Sequence, residues 1–187
     1  MAKLFHFDCE TTGLEAKNNS IFQISGIIEI DGEVKEEFDI KCKPMEGKLI
    51  DPGALKVNKM TEAELMTYPQ QEDAYKKLIN IISKYVDRFD KSDKFFLVGY
   101  NVHFDVAFMR EFFLRNNDKY FGSFFWSNPI DVMVLATLGT LNERKSMKNF
   151  KLITVAEQFG VELGEDAHEA MADTRATREI FHLLMDD

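Results

Sequence analysis

The sequence predicts an α/β fold, in which a mixed sheet opens as a three-stranded antiparallel meander, continues with parallel strands and is flanked by helices. Three observations carry this expectation. The first 44 residues hold three strand-like runs joined by turn-type residues. Helical spacing of apolar residues takes over from about residue 61 onward. A short apolar run at 95–101 then interrupts the helices, as strands do when they alternate with them.

In order, KLFHF (3–7) reads as a strand by its aromatic content, and IFQISGIIEI (21–30) as a second strand. The Asp31-Gly32 dipeptide is a tight hairpin signal. EVKEEFDIKCKP (33–44) alternates charged and apolar residues, so this third strand has one wet face. Thr61 and Glu64 fit a capping box. Residues 70–89 place Ala74, Leu78, Ile81, Ile82, Tyr85 and Phe89 on one helical face. FFLVGYN (95–101) reads as a buried strand, followed by a helix over 104–116 with Ala107, Phe108, Phe112 and Leu114 facing inward. An extended stretch near 124–130, helices near 131–138 and 153–159, and a last helix over 169–185 complete the chain. No internal repeat, low-complexity tract or long linker divides it, so residues 1–187 read as one domain.

Hydrophobic residues make up 45% and charged residues 29%, the profile of an ordinary globular protein, and 17 Phe imply a largely aromatic core. No apolar stretch approaches the roughly 18 residues needed to span a membrane. Asp8 and Glu10 interrupt any N-terminal signal-peptide pattern. Cys9 and Cys42 have no metal-type spacing and make no disulfide framework, which favours a reducing, cytoplasmic compartment. The formal charge of −9 argues against a general nucleic-acid coat, but not against a nucleic-acid enzyme, since bound cations invert local charge.

The chemistry lies in the acids. In LFHFDCETTGL the first strand ends in Asp8 and Glu10, two apart, and alternation puts them on one side if the strand persists to Glu10. Two carboxylates side by side repel, and a hard divalent cation such as Mg²⁺ or Mn²⁺ relieves that. The bland alternative is a strand end with solvated acids. Asp105 follows the 95–101 strand near a helix start, where the helix dipole alone would favour an acid. Asp173 falls on the apolar stripe of the last helix, with Ala170, Ala176 or Thr177, Ile180 and Leu184. A charge there needs a metal or a partner, and Arg175 is the nearest candidate cation in sequence. His168 stands five residues before Asp173. His6 lies two before Asp8 but within the apolar strand, which favours a packed role.

Together FDCETTG, NVHFD and HEAMAD resemble, in order and spacing, the three motifs of the DEDDh family of 3′–5′ exonucleases. That family includes the proofreading epsilon subunit of bacterial DNA polymerase III, exonuclease I and ribonuclease T. The resemblance spans about residues 4–184 and includes DPGALKVNKMT (51–61), similar to the segment such enzymes carry between their first two motifs. It implies a ribonuclease H-like fold and release of mononucleotides from a 3′ end. It implies that Asp8, Glu10, Asp105 and Asp173 hold two Mg²⁺ or Mn²⁺ ions, and that His168 is the general base. It further implies that Thr11, Thr12, Gly13 and Leu14 hold the terminal nucleotide, with Leu14 as a wedge, and that Asn101 and Phe104 of the second motif face substrate. Tyr100 stands where many relatives carry His, and His103 has no assigned role.

Arg144, Lys145, Lys148 and Lys151 form a basic cluster, read either as a solvated loop or as a contact for single-strand phosphates. Phe22, Tyr68 and Phe104 are candidates for stacking on bases, with core packing as the alternative. The expected partner is the 3′ end of single-stranded nucleic acid, DNA before RNA, with replication or repair proteins as further partners and no membrane. A catalytically silent binding module and a small-phosphoester phosphatase are the rival readings.

Overall fold

The computed structural model describes residues 2–163 and 169–185. One five-stranded sheet has the order β3-β2-β1-β4-β5, with β1 (Lys3–Thr11) at its centre. β1 pairs antiparallel with β2 (Ile21–Ile30), which pairs antiparallel with β3 (Glu33–Lys41). On its other side β1 runs parallel to β4 (Phe96–Gly99), and β4 to the two-residue β5 (Ile130–Asp131). The meander and the parallel half are therefore both present. The β2–β3 turn has φ of 53° at Asp31 and 83° at Gly32, the left-handed pair that a two-residue hairpin requires.

β1 divides two cores. Phe5, Phe7 and Cys9 point to one face, under α3 (Gln71–Ile82) and α4 (Val102–Arg115). Most of the phenylalanines gather there, with Phe5, Phe95, Phe113, Phe121 and Phe125 in ring contacts of 4.7–6.3 Å. Leu4 packs on the other face, under α5 (Val132–Gly139), α6 (Leu152–Phe159) and α7 (Ala170–Met185). Helices cover both faces, so β1 and β4 are buried and apolar at their centres. Two short helices, α1 (Pro52–Val57) and α2 (Glu62–Leu65), stand between β3 and α3, and Thr61 and Glu64 form the expected capping box on α2.

Several expectations are corrected. β1 continues to Thr11, four residues past the apolar run, because its pairing with β2 persists to a bulge at Glu10/Thr11. β3 stops at Lys41, three residues before Pro44. α3 ends at Ile82, and Phe89 is 88% exposed rather than inward-facing. On α4 the buried face is Val106, Phe108, Met109, Phe112 and Phe113, while Ala107 and Leu114 face solvent. The 124–130 stretch contributes only an isolated bridge, Phe95 to Phe125, before β5. Within the 51–61 segment, which the sequence marked only by its resemblance, lies the helix α1; Asp51 caps it by accepting from Gly53 N at 2.6 Å, and Pro52 fills the first turn.

Candidate active site

The extension of β1 to Thr11 decides the geometry. Alternation along the strand puts Asp8 and Glu10 on the side opposite Cys9. Parallel pairing with β4 carries the start of α4 to the same end of the sheet. Between β4 and α4, Asn101 takes a left-handed conformation (φ 57°, ψ 40°), which asparagine tolerates better than most residues. Its N–H donates to Asp131 Oδ1 at 3.0 Å, and the same oxygen accepts from Met133 N to cap α5. This sharp turn delivers Asp105 in the first turn of α4, where it is 4% exposed and its Oδ1 accepts from Cys9 N at 3.1 Å. Asp173 arrives from the first turn of α7.

Asp8, Glu10, Asp105 and Asp173 line one cleft of about 240 Å³, together with Asn58, Tyr100, Asn101 and Phe104. Their electrostatics register the crowding. Burial, then repulsion from Asp105, Glu10 and Asp173, pushes Asp8 well above the usual carboxylate range. Burial and Asp173 push Glu10 up to about 7, against a hydrogen bond from the Asn58 side chain that lowers it. Burial pushes Asp105 up to about 8, although the Cys9 N–H bond works in the opposite direction. Four partly or fully buried carboxylates gathered in this way are oxygen donors suited to a hard divalent cation. The donor set therefore fits the metal that the sequence implied. Arg175 is not the counter-charge, since it reaches Glu37 Oε2 at 2.5 Å.

Beside this cleft lies a more apolar one of about 410 Å³, lined by Thr11, Gly13, Leu14, Ala54, Val57 and Phe104 and sharing Glu10 and Asn58 with the first. Leu14 is 81% exposed at its rim. Thr12 does not line it: its hydroxyl donates to Leu49 O at 2.8 Å and accepts from Ser20 N at 2.9 Å. Gly13 is required by packing rather than by an unusual φ, since a Cβ there would meet the Asn19 side chain at 2.3 Å. On the other side a cleft of about 560 Å³ shares Tyr100, Asn101 and Asp173 and carries Phe150, Lys151 and Ile153. Lys151 lines that cleft, whereas Lys148 is exposed and outside the lining of all three. Arg144 stacks on Phe150 at 5.0 Å, and the Tyr100 hydroxyl donates to Phe150 O at 2.6 Å.

Of the aromatic candidates, Phe104 faces the clefts, Phe22 is buried in the core, and Tyr68 sits under Lys41 at 5.8 Å. His168 lies outside the described residues. Sequence reasoning missed Asn58 and Asp131. Asn58 was embedded in a segment recognised only as a linker, and its role depends on α1. Asp131 read as the start of a helix, which it is, with no sign of its bond to Asn101.

The exonuclease family model (RNase_T, described as "Exonuclease") matches residues 5–181. This chain belongs to that family, the DEDDh-type 3′–5′ exonucleases. It is 27% identical over 97% of its length to DNA polymerase III PolC-type of Pediococcus pentosaceus, and 30% identical over 95% to that of Lacticaseibacillus paracasei. In each case the chain spans only 11% of the relative's length. Its fold is similar to that of Escherichia coli exonuclease I in complex with a dT13 oligonucleotide (TM-score 0.77, 22% identity), covering 99% of this chain and 41% of the other. A zinc-bound exonuclease I complex with single-stranded DNA superposes with a TM-score of 0.79 at 23% identity, covering 100% of this chain and 41% of that one. The sheet and its flanking helices are thus of the ribonuclease H-like type. Among the described residues, no helix is long and apolar enough to cross a membrane.

Proposed function

We propose that this chain hydrolyses single-stranded DNA from its 3′ end to mononucleotides, with two Mg²⁺ or Mn²⁺ ions held by Asp8, Glu10, Asp105 and Asp173. The observation that carries this reading is the convergence of these four acids from β1, α4 and α7 on one cleft. When bound, such cations supply a polarised phosphodiester and an activated water. The chain's own residues do the rest. Asp8 and Glu10 form a carboxylate platform at the end of β1, and Cys9 N fixes the Asp105 carboxylate against it. His168 takes the proton of the attacking water, its neutral imidazole becoming imidazolium.

Substrate placement follows the three clefts. The apolar cleft takes the terminal nucleoside, with Phe104 against the base and Leu14 wedged at its edge, while Thr11 and Gly13 supply backbone contacts. Thr12 supports this turn from beneath through Leu49 and Ser20. The remaining strand leaves past Asn101 toward Lys151 and Phe150, with Lys148 further out. DNA is preferred over RNA because the similar proteins are a DNA polymerase and a DNA-bound exonuclease. Membership in a replication assembly is proposed on the same ground, as is the reading of residues 1–187 as one exonuclease domain.

The test uses matched 3′-labelled DNA and RNA strands with Mn²⁺, Mg²⁺ or chelator. Mononucleotide release from DNA should vanish in chelator, and a circular single strand should survive. His168→Ala should lose about 10²–10⁴-fold in single-turnover rate while still binding Mn²⁺ and oligonucleotide. Full activity in chelator would overturn the metal mechanism, and faster release from RNA would reverse the substrate assignment.

A further inference from the structure

One pleat below the carboxylate platform, on the same face of β1, lies a second cluster that the nuclease chemistry does not use. His6 from β1, Glu29 from β2 and His182 from α7 bring their ligand atoms within 4.8 Å of one another. His182 Nε2 is 2.9 Å from Glu29 Oε2, and His6 Nε2 is 3.5 Å from the same oxygen. A tetrahedral zinc with bonds of about 2.0–2.1 Å sets its ligand atoms roughly 3.3–3.5 Å apart, so the His6–Glu29 separation already fits and the His182–Glu29 separation must open by about half an ångström. A separate observation points to a ligand. His6 is fully buried; among the described residues its Nδ1 has no hydrogen-bond partner, and its Nε2 has only the long 3.5 Å approach to Glu29 Oε2. A buried imidazole normally has a hydrogen-bond partner at each ring nitrogen, and leaving one without is unfavourable.

We propose that His6, Glu29 and His182 form a zinc site distinct from the catalytic carboxylates, with a water completing the coordination. Two imidazoles and one carboxylate are the donors zinc prefers, and Mg²⁺ does not. The His182 side chain is 31% exposed and marks the entry path, whereas His6 and Glu29 are sealed. A metal here ties α7, which carries Asp173, to β1, which carries Asp8 and Glu10, and to β2 beside it. Arg178 opposes it: its Nε lies 2.6 Å from Glu29 Oε2. The guanidinium neutralises Glu29 in the metal-free protein and weakens the site by repulsion.

The experiment is a calorimetric titration of the chelator-stripped protein with Zn²⁺. An Asp8→Ala, Asp173→Ala background weakens binding at the carboxylate cleft. One equivalent should bind in that background, and Co²⁺ in its place should give the intense visible bands of a four-coordinate site. His182→Ala, a partly exposed position, should weaken this binding at least tenfold and cancel the zinc-induced rise in thermal midpoint, with Mg²⁺-dependent nuclease rate within a few fold of the parent. Arg178→Met should tighten zinc about tenfold, by removing the competing cation. X-ray absorption at the zinc edge, in the Asp8→Ala, Asp173→Ala background loaded with one equivalent, should count two imidazoles. Zinc binding that disappears with Asp8 and Asp173, survives His182→Ala, weakens in Arg178→Met, or shows fewer than two imidazoles would overturn the assignment.

Discussion

The Cys9 N–H donates to Asp105 Oδ1 at 3.1 Å, linking the strand backbone between two acids to a third acid 96 residues away. The bond sits between Asp8 and Glu10, so it holds three carboxylates in one register. It also satisfies one oxygen of a nearly sealed side chain, leaving the rest of the carboxyl facing the cleft. Structure and chemistry can therefore be separated at this position.

Asp105→Asn keeps an oxygen for Cys9 N and removes one buried acid from the cleft. The folded state should be as stable as the parent or up to about 2 kcal/mol more stable, since a crowded buried carboxyl is replaced by a neutral isostere. Mn²⁺ affinity and nuclease rate should each fall by at least about 100-fold. Chemical denaturation with paired calorimetric Mn²⁺ titration checks this, and lost stability with retained metal affinity would contradict it.

The stabilisation that a divalent cation gives should grow with pH. Burial and neighbouring acids hold Glu10 at about 7 and Asp105 at about 8, above their ordinary values of 4.5 and 3.8. The cation-free folded chain therefore binds protons more tightly than the unfolded chain. The stability that these two groups contribute is fully present below about pH 4 and is lost as pH rises toward 8. A divalent cation removes that loss, so the gain in thermal midpoint from saturating Mn²⁺ should be small near pH 5 and large near pH 8. Scanning calorimetry across this range decides it, and a pH-independent gain would sink the electrostatic account.

The turn after β1 rests on packing. A Cβ at Gly13 would lie 2.3–2.6 Å from three atoms of Asn19. Asn19 cannot yield cheaply, because it accepts from Glu15 N and donates to Thr12 O and Leu49 O. Gly13→Ala should cost about 1–3 kcal/mol, as overpacking does, and displace Leu14. The KM for single strands should rise more than kcat falls. A KM within error of the parent would detach Leu14 from substrate.

Much of this arrangement was legible in the chain. The Asp31-Gly32 turn, the two periodicities and the order of three acidic motifs placed the strands, α4 and α7 near where they lie. Asp173 betrayed itself as a charge on an apolar stripe. What stayed hidden depends on tertiary context. The continuation of β1 to Thr11 comes from its β2 partner, and the inward face of α4 is rotated because Asp105 itself must be buried. Phe89 looked internal by spacing alone, but α3 ends before it. The His6–Glu29–His182 cluster joins residues from three elements with no shared motif, so only packing reveals it.

Asn58 is the clearest case of a residue whose role only the fold exposes. It follows α1, its N–H bonding back to Ala54 O at 3.0 Å, and its side chain hydrogen-bonds Glu10 and lowers that carboxyl's pKa. Glu10 titrates near neutral pH, so this bond influences the fraction ready to receive a cation. Asn58→Ala removes the bond but leaves all four acids in place. Glu10 should then rise further, and the acid side of the rate–pH profile should shift to higher pH. At pH 6 the rate should drop about tenfold, while near pH 9 it should approach the parent. Mn²⁺ affinity should follow the same trend. Asn58→Asp should be worse than Ala at every pH, because it adds a fifth acid beside the four. The rate–pH profile of the three proteins at saturating single strand is the measurement. A uniform loss across pH would make Asn58 a mere packing residue of the α1 turn, and an unchanged profile would remove it from the site.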